Sequence, residues 1–255
     1  MRADRQATLA TAADSWSSQE CADGYERQVN ARFYRAAVER LLERTPELQG
    51  RGLDLGCGTG FSTEVLVRAQ PHVAWQGVDC SAAMLAIARR KAGLARVELR
   101  QARAETLPFA DGTFDVVVAS FSWHWFGKNA GPEVRRVLRR GGWLLAAVPV
   151  RHLAHARGNR LLARELLAAR RRFVPRQSQG LRITDVSKIL PPPVRVAHQD
   201  LVIEHERFAD GRELLDVLGS RGALAAIFGA EPPLALAASG PLDFEWPFAV
   251  LHVQV

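Results

Sequence analysis

The residues best suited to bind a ligand form a short glycine-rich segment around position 58. Gly56, Gly58 and Gly60 stand at alternate positions directly after a short predicted strand at residues 52–55. Glycines at this spacing let the backbone turn tightly off a strand and approach a ligand closely, and the following helix presents free N–H groups. The segment therefore predicts a strand, a turn and a helix arranged around a bound ligand.

Two acidic residues near this turn indicate the chemistry of the ligand. Asp54 stands two residues before the first glycine, where a carboxylate repels phosphate and attracts an ammonium or sulfonium group. The spacing is GxGxG, whereas dinucleotide-binding proteins have GxGxxG. Asp79 ends the next predicted strand and can accept hydrogen bonds from both hydroxyls of a ribose. Together they predict one ligand that carries a ribose and a positive charge.

The elements that must position these residues alternate along the chain. Apolar runs predict strands at residues 52–55, 73–78, 97–99, 114–120 and 143–148. The segments between and before them predict helices at residues 31–44, 62–70, 81–93 and 132–139. Further strands are expected at residues 194–206 and 244–253, with a helix at 212–218. Strands that alternate with helices in this way predict a parallel sheet.

These motifs resemble, in order, those of the class I S-adenosylmethionine-dependent methyltransferases. The resemblance covers residues 53–148 and includes the glycine turn, the acid after the second strand and the segment Ala104–Asp115. It implies an α/β, Rossmann-like, doubly wound fold. The sheet would be seven-stranded and mostly parallel with an antiparallel last strand, and a helical segment would be inserted. S-adenosylmethionine is the implied cofactor, and no metal is expected.

The resemblance also implies which residues hold the cofactor. Around its methionine moiety it places Asp54, Gly56, Gly58, Gly60 and the backbone of Cys57. It assigns Asp79 to the ribose, and Cys80, Met84, Ala104 and Glu105 to the adenine. Ser120, at the end of the fourth strand, completes the expected cofactor site.

An aromatic run, Phe121–Phe126, follows the fourth strand. In open parallel sheets ligands lie beyond the carboxyl ends of the strands, so this run is expected to form the substrate wall. His124 is the candidate for orienting or deprotonating the methyl acceptor, and a merely hydrogen-bonded histidine is the alternative. Trp123 or Trp125 would shield the methyl group from water, and the alternative is that Trp125 and Phe126 simply pack against the next helix.

Length and composition favour a single domain over all 255 residues, since 47% of them are apolar and 24% are charged. We expect an N-terminal helical flap at 1–45, a cofactor-binding core at 46–150, an inserted helical lid or substrate segment at 151–193, and C-terminal strands at 194–255. Tyr25 is the residue expected to close over the cofactor, because its segment resembles the flap of small-molecule methyltransferases. No signal peptide or membrane span is recognisable, so a cytoplasmic location is expected.

Several classes of methyl acceptor remain open. The segments Phe208–Ala223 and Leu242–Glu245 resemble malonyl-acyl-carrier-protein O-methyltransferases of biotin synthesis, which implies a carboxylate acceptor and makes Arg151 a candidate clamp. Another small metabolite, a quinone precursor or a natural product, is the second possibility. Nucleic acid is favoured by the net charge of +7 but disfavoured because no Asn/Asp-Pro-Pro-aromatic motif follows the fourth strand. A non-catalytic cofactor-binding assembly partner is the last alternative.

The inserted segment carries a basic stripe. Helical spacing puts Leu162, Leu166, Ala169 and Phe173 on one face, and Arg157, Arg160, Arg164 and Arg171 on the opposite face. We expect the apolar face to pack inward and the basic stripe to meet an acidic acyl carrier protein that presents the small-molecule substrate. The alternative is an ordinary solvated surface, because all but three of the 34 basic residues of this chain are arginine.

Overall fold

The computed structural model describes residues 18–26, 31–45, 47–150, 156–169, 189–219 and 234–255. The helices are α1 Gln19–Glu26, α2 Ala31–Leu42, α3 Phe61–Ala69, α4 Ala82–Ala88, α5 Ala130–Val137, α6 Arg157–Ala169, α7 Gly211–Gly219 and α8 Leu234–Ala237. The strands are β1 Gly50–Leu55, β2 Val73–Asp79, β3 Glu98–Gln101, β4 Phe114–Ser120, β5 Leu138–Pro149, β6 Arg195–Phe208 and β7 Leu242–Gln254.

The seven strands form one sheet in the order β3-β2-β1-β4-β5-β7-β6. The first five pair in parallel, and β7 lies antiparallel between β5 and β6. The predicted fold is therefore confirmed. The strand order reverses between β1 and β4, and this is the point where open α/β sheets bind their ligands, beyond the carboxyl ends of the strands.

Both faces of the sheet are buried, and alternate residues of β4 show this directly. Val116 and Val118 belong to an apolar cluster with Val38 and Leu41 of α2. Val117 belongs to a second cluster, on the opposite face, which includes residues of α5. Successive side chains of a strand point to opposite faces, so an uninterrupted apolar strand is expected where helices cover both sides.

Several predicted boundaries were wrong. The helix predicted over residues 132–139 ends at Val137, and β5 begins at Leu138 instead of residue 143. Leu138 pairs with Phe114 of β4 and is buried, so a long-range contact replaces the last helical turn. The helix predicted over residues 81–93 ends at Ala88, and a short 3-10 turn at Ala92–Leu94 follows it.

The inserted helix α6 lies against the last strand. The Asn159 side-chain amide donates to the Glu245 carbonyl at 2.9 Å, and the Glu245 N–H donates to Asn159 Oδ1 at 2.8 Å. Leu161 and Leu162 pack, partly buried, against the core, as predicted for Leu162. Phe173 and Arg171 lie outside the described residues, as do the side chains of Leu166 and Ala169.

The residues that the structure describes contain no helix long and apolar enough to cross a membrane. In the same ranges, no three His, Cys, Asp or Glu side chains come together in a way that could hold a metal ion.

Candidate functional site

The glycine turn after β1 approaches two neighbouring elements closely. Gly56, with φ of +75°, donates its N–H to the Val78 carbonyl at 2.7 Å. A Cβ atom on Gly56 would come within 2.4 Å of Ser122 Cβ, and one on Gly60 would come within 2.4 Å of Leu94 Cδ1. Glycine is therefore required at both positions by backbone conformation and by space.

Asp79 joins this turn to the start of α4. Its Oδ2 accepts from the Gly58 N–H at 2.9 Å, and its Oδ1 accepts from the Ser81 N–H at 2.8 Å. The Ser81 hydroxyl in turn caps α4 by accepting from the Met84 N–H at 3.2 Å. Burial raises the pKa of Asp79. The two backbone hydrogen bonds fix its carboxylate at the carboxyl end of β2.

A cavity opens above these residues and holds about 950 Å³ of empty space, part of it open to solvent. The structure brings together here most of the residues predicted for the site: Tyr25, Gly56, Gly58, Asp79, Cys80, Met84, Ala104, Glu105 and Ser120. The wall also includes Tyr34, Leu55, Val78, Ala102, Arg103, Phe121, Ser122, Trp125 and Phe126.

Asp54 does not reach this cavity, contrary to the expectation that it faces the ligand. Its carboxylate is fully buried, where Oδ2 accepts from the Ser62 hydroxyl at 2.7 Å and from the Thr63 hydroxyl at 2.6 Å. Burial raises its pKa to about 6. Asp54 therefore ties β1 to the first turn of α3 behind the glycine turn.

Two other predicted residues also lie away from the cavity wall, and a third is outside the described residues. Cys57 is buried, and its Sγ packs against Gly77 of β2. A Cβ atom added to Gly77 would lie only 3.0 Å from that Sγ. Gly60 faces Leu94 instead of the cavity. Arg151 lies outside the described residues, so its expected role as a clamp stays a prediction.

The aromatic run after β4 divides between the core and the cavity. Trp123 is buried in the core. Trp125 lines the cavity and remains 42% exposed. His124, on the same 3-10 turn, is exposed and lies outside the cavity wall, with its ring centroid 4.8 Å from that of Trp125. In this position His124 does not face the cavity, contrary to the expectation that it meets the acceptor.

Two aromatic residues of the cavity wall were not predicted individually. Phe121 has φ of +50°, a left-handed conformation that is rare for a bulky residue and often found at functional sites. Tyr34 of α2 contacts it edge-to-face at a centroid distance of 5.5 Å, and Tyr25 of α1 lies 5.4 Å from Tyr34. On its other side, Phe121 packs against Phe248 of β7 at 5.3 Å. The rings thus connect the predicted flap to the sheet.

Polar groups complete the wall on the side of β4. The Ser122 hydroxyl donates to the Leu55 carbonyl at 2.6 Å, which fixes the turn after β4. The Ser120 hydroxyl is buried and has no hydrogen-bond partner among the described residues. Ser120 can therefore offer its hydroxyl to a bound molecule. Glu105 accepts from the Gly127 N–H, and its carboxylate lies 3.4 Å from the Arg103 guanidinium in an ion pair.

These features fit S-adenosylmethionine. A Cβ atom on Gly58 would meet nothing nearer than Tyr25 Cε1 at 4.0 Å, so the backbone there is open to a ligand. Asp79 would accept from the ribose hydroxyls, and Cys80, Met84 and Ala104 would enclose the adenine. The aromatic rings would then lie beside the sulfonium. The cavity supplies surfaces of the right chemistry for each part of this molecule.

Comparison with known proteins agrees with this fit. A family described as a methyltransferase domain matches residues 53–142. The demethylmenaquinone methyltransferase of Thermus thermophilus is 42% identical over 118 residues, which are 45% of this chain and 52% of that protein. The malonyl-[acyl-carrier protein] O-methyltransferase of Legionella pneumophila is 39% identical over 131 residues, 49% of this chain and 45% of that protein. This chain thus spans about half the length of these curated relatives.

Among solved structures, a protein from Anaeromyxobacter dehalogenans described as a type II methyltransferase superposes with a TM-score of 0.61. The two chains are 25% identical, and the match covers 86% of this chain and 94% of the other. The sheet order, the glycine turn with Asp79, and the matched domain agree with one another. The chain therefore contains a methyltransferase domain of the S-adenosylmethionine-dependent kind, matched at residues 53–142.

Proposed function

We propose that this protein transfers the methyl group of S-adenosylmethionine to a small-molecule acceptor, and that the acceptor is a carboxylate such as that of a malonyl group on an acyl carrier protein. The observation that carries the proposal is the aromatic wall, formed by Tyr34, Phe121 and Trp125, beside the expected position of the sulfonium. The relative from Legionella pneumophila, named for methylation of malonyl-acyl-carrier protein, supports this choice of acceptor.

The chemistry of the wall favours an ionised acceptor. When bound, S-adenosylmethionine supplies an electrophilic methyl group attached to a positively charged sulfur. The rings of Tyr34, Phe121 and Trp125 displace water from this side of the cavity. A carboxylate loses its charge when it accepts the methyl group, and the sulfonium loses its charge in the same step. The transition state therefore carries less separated charge than the two reactants, and a cavity with little water favours such a transfer.

The position of His124 agrees with a carboxylate acceptor. A carboxylate is already ionised at neutral pH and needs no general base. His124 is exposed and lies against Trp125 on the outside of the wall, so its expected contribution is to support that ring. The tasks left to the chain are to align the acceptor with the methyl group and to exclude water.

The surface of α6 supports presentation of the acceptor on a carrier. Arg157, Arg160 and Arg164 are exposed, and the helix is held on β7 through Asn159. Acidic carrier proteins would be attracted to such a stripe, mainly through a faster association rate. Arg151 follows the last residue of β5 by two positions and is proposed as the clamp for the acceptor carboxylate.

A second candidate acceptor is the ring of a quinone precursor. Flat rings stack on or against aromatic side chains, and Phe121 and Trp125 provide such surfaces. The relative from Thermus thermophilus, named for methylation of demethylmenaquinone, supports this alternative. Such an acceptor must lose a proton during methylation, so it requires a base that the carboxylate does not.

A methyl-transfer assay with each acceptor in turn separates the two candidates. The purified protein is incubated with methyl-labelled S-adenosylmethionine and, separately, with malonyl-acyl carrier protein, a short malonyl thioester and a reduced quinone precursor. We expect label in the malonyl compounds as a base-labile ester. Label in the quinone product alone would replace the carboxylate by the second candidate, and cofactor binding with no transfer to any acceptor would favour a non-catalytic role.

A further inference from the structure

A single lysine, Lys91, lies between the predicted flap helix and the cofactor-binding core. Its side chain is only 14% exposed, and its Nζ lies 3.1 Å from Glu26 Oε1 and 3.6 Å from Glu64 Oε2. The ammonium group also sits 3.8 Å from the centre of the Phe61 ring. A lysine held by two carboxylates and an aromatic face is strongly constrained, because each contact favours the same position.

This contact connects elements that are distant in sequence. Glu26 is the last residue of α1, Glu64 lies in the first turn of α3, and Lys91 follows α4. Glu64 also lies 3.6 Å from Arg35 of α2. The two cations and two carboxylates balance in charge, and we refer to these four residues, Glu26, Arg35, Glu64 and Lys91, as the latch.

The latch borders the cofactor cavity through Tyr25. Tyr25 precedes Glu26, lines the cavity and lies above Gly58. Its ring is 6.3 Å from that of Phe61, the ring on which the Lys91 ammonium rests. Lys91 itself does not belong to the cavity wall. Its influence on the cofactor is therefore indirect, and its contact with Glu26 connects it to α1.

The helix α1 depends on such contacts for its place. It has eight residues, and isolated helices of this length are not stable in water. Its apolar attachment is a small cluster in which Ala22 packs with Met84 and Ile87, and Tyr25 lies partly buried against it. The last turn of α1 contains no basic residue, so Lys91 supplies from another element the positive charge that stabilises a helix C-terminus.

We infer that Lys91 is a positioning residue that holds α1, and with it Tyr25, over the bound cofactor. The inference rests on the proposed function, since it assumes that the cavity holds S-adenosylmethionine or its demethylated product, S-adenosylhomocysteine. Closing α1 over the cavity shields the ligand from water and slows its release. Loss of the latch accordingly increases the dissociation rate of the cofactor and leaves the contacts of Asp79 unchanged.

The test is the substitution Lys91→Met, which keeps an unbranched apolar side chain over Phe61 and removes the charge. We expect the Kd for S-adenosylhomocysteine to rise about tenfold, mainly through faster dissociation, with a small change in Tm. Lys91→Arg should restore most of the affinity. The matched control is Arg90→Met, because Arg90 is exposed, precedes Lys91 directly and lies outside the latch. It should bind as the unsubstituted protein does.

Two further measurements make the result decisive. Hydrogen exchange of residues 19–26 in the presence of S-adenosylhomocysteine should be slow in the unsubstituted protein and faster in Lys91→Met. Added salt should weaken binding by the unsubstituted protein and have less effect on Lys91→Met, since the latch is electrostatic. If Lys91→Met does not fold, Glu26→Gln removes the same contact from the side of α1 and should give the same loss.

The outcomes also separate this inference from the proposed function. Absence of S-adenosylhomocysteine binding by the unsubstituted protein would overturn the proposed function and the inference with it. Normal binding by the unsubstituted protein, together with unchanged Kd and unchanged exchange of α1 in Lys91→Met or Glu26→Gln, would overturn the inference alone. A loss of affinity that Arg90→Met shares equally would also overturn it.

Discussion

The substitution Asp79→Ala tests the assignment of the cofactor site. In the free protein the Asp79 carboxylate accepts from the N–H groups of Gly58 and Ser81, at 2.9 and 2.8 Å. In the proposed complex it also accepts from the ribose hydroxyls. Hydrogen bonds to a charged group contribute about 1.5–3 kcal/mol, so we expect binding of S-adenosylhomocysteine to weaken by about 10- to 150-fold.

The same substitution also affects stability. Two backbone N–H groups lose their acceptor, and leaving a buried donor unpaired costs about 1–3 kcal/mol. Binding must therefore be measured by calorimetry well below the Tm of the variant. Asp79→Asn retains one acceptor oxygen and should lose less affinity. Asp111→Ala is the matched control, because the Asp111 side chain is 83% exposed and lies outside the cavity wall.

Two results would refute the reasoning about this site. The first is an unchanged affinity for S-adenosylhomocysteine in Asp79→Ala, measured where the variant is fully folded. The second is tight binding of NAD by the unsubstituted protein, because the assignment predicts that the dinucleotide does not compete for the cavity.

Three further predictions concern residues around the site. Burial raises the pKa of Asp54 to about 6 from 3.8, so the folded state binds this proton more tightly and stability falls by about 3 kcal/mol as the pH rises from about 4 to about 6. In Asp54→Asn, the free energy of unfolding measured with urea should lose this part of its decrease with pH. An unchanged pH dependence in the variant would contradict the prediction. His124→Gln should keep most of kcat with the carboxylate acceptor, whereas a fall of about 10² with cofactor binding intact would indicate a base. Reversing Arg160 and Arg164 to Glu should lower kcat/KM about tenfold or more at low salt for the carrier-bound acceptor only, and equal activities would leave these residues as ordinary surface.

The glycine turn and the sheet could be predicted from the sequence because their signals are local. Gly56 and Gly60 occupy positions with positive φ and no room for a Cβ atom, and few other residue types are compatible with such positions. The apolar run of β4 likewise indicates a strand buried on both faces. By contrast, β5 begins early because Leu138 pairs with Phe114, which is distant in the sequence. No local sequence pattern indicates this pairing.

The direction of individual side chains was harder to predict. Strand alternation does indicate that Asp54 points away from the face of Leu53 and Leu55, but the sequence does not say on which side the cavity lies. Leu55 lines the cavity, and Asp54 is buried beside Ser62 and Thr63.

The aromatic run posed the same difficulty. In a 3-10 turn, successive side chains point about 120° apart, so only one of Trp123, His124 and Trp125 can face a given direction. The sequence alone does not select Trp125. The left-handed conformation of Phe121 has no signal in the sequence either, because the residue is neither Gly nor Asn.

The most direct test of the central claim is a crystal structure of the protein with S-adenosylhomocysteine. We predict that the ribose hydroxyls lie within hydrogen-bonding distance of the Asp79 carboxylate, that the adenine packs between Met84 and Ala104, and that the sulfur faces Phe121 and Trp125. A ligand bound elsewhere, or bound in this cavity with its sulfur directed away from those two rings, would contradict the account.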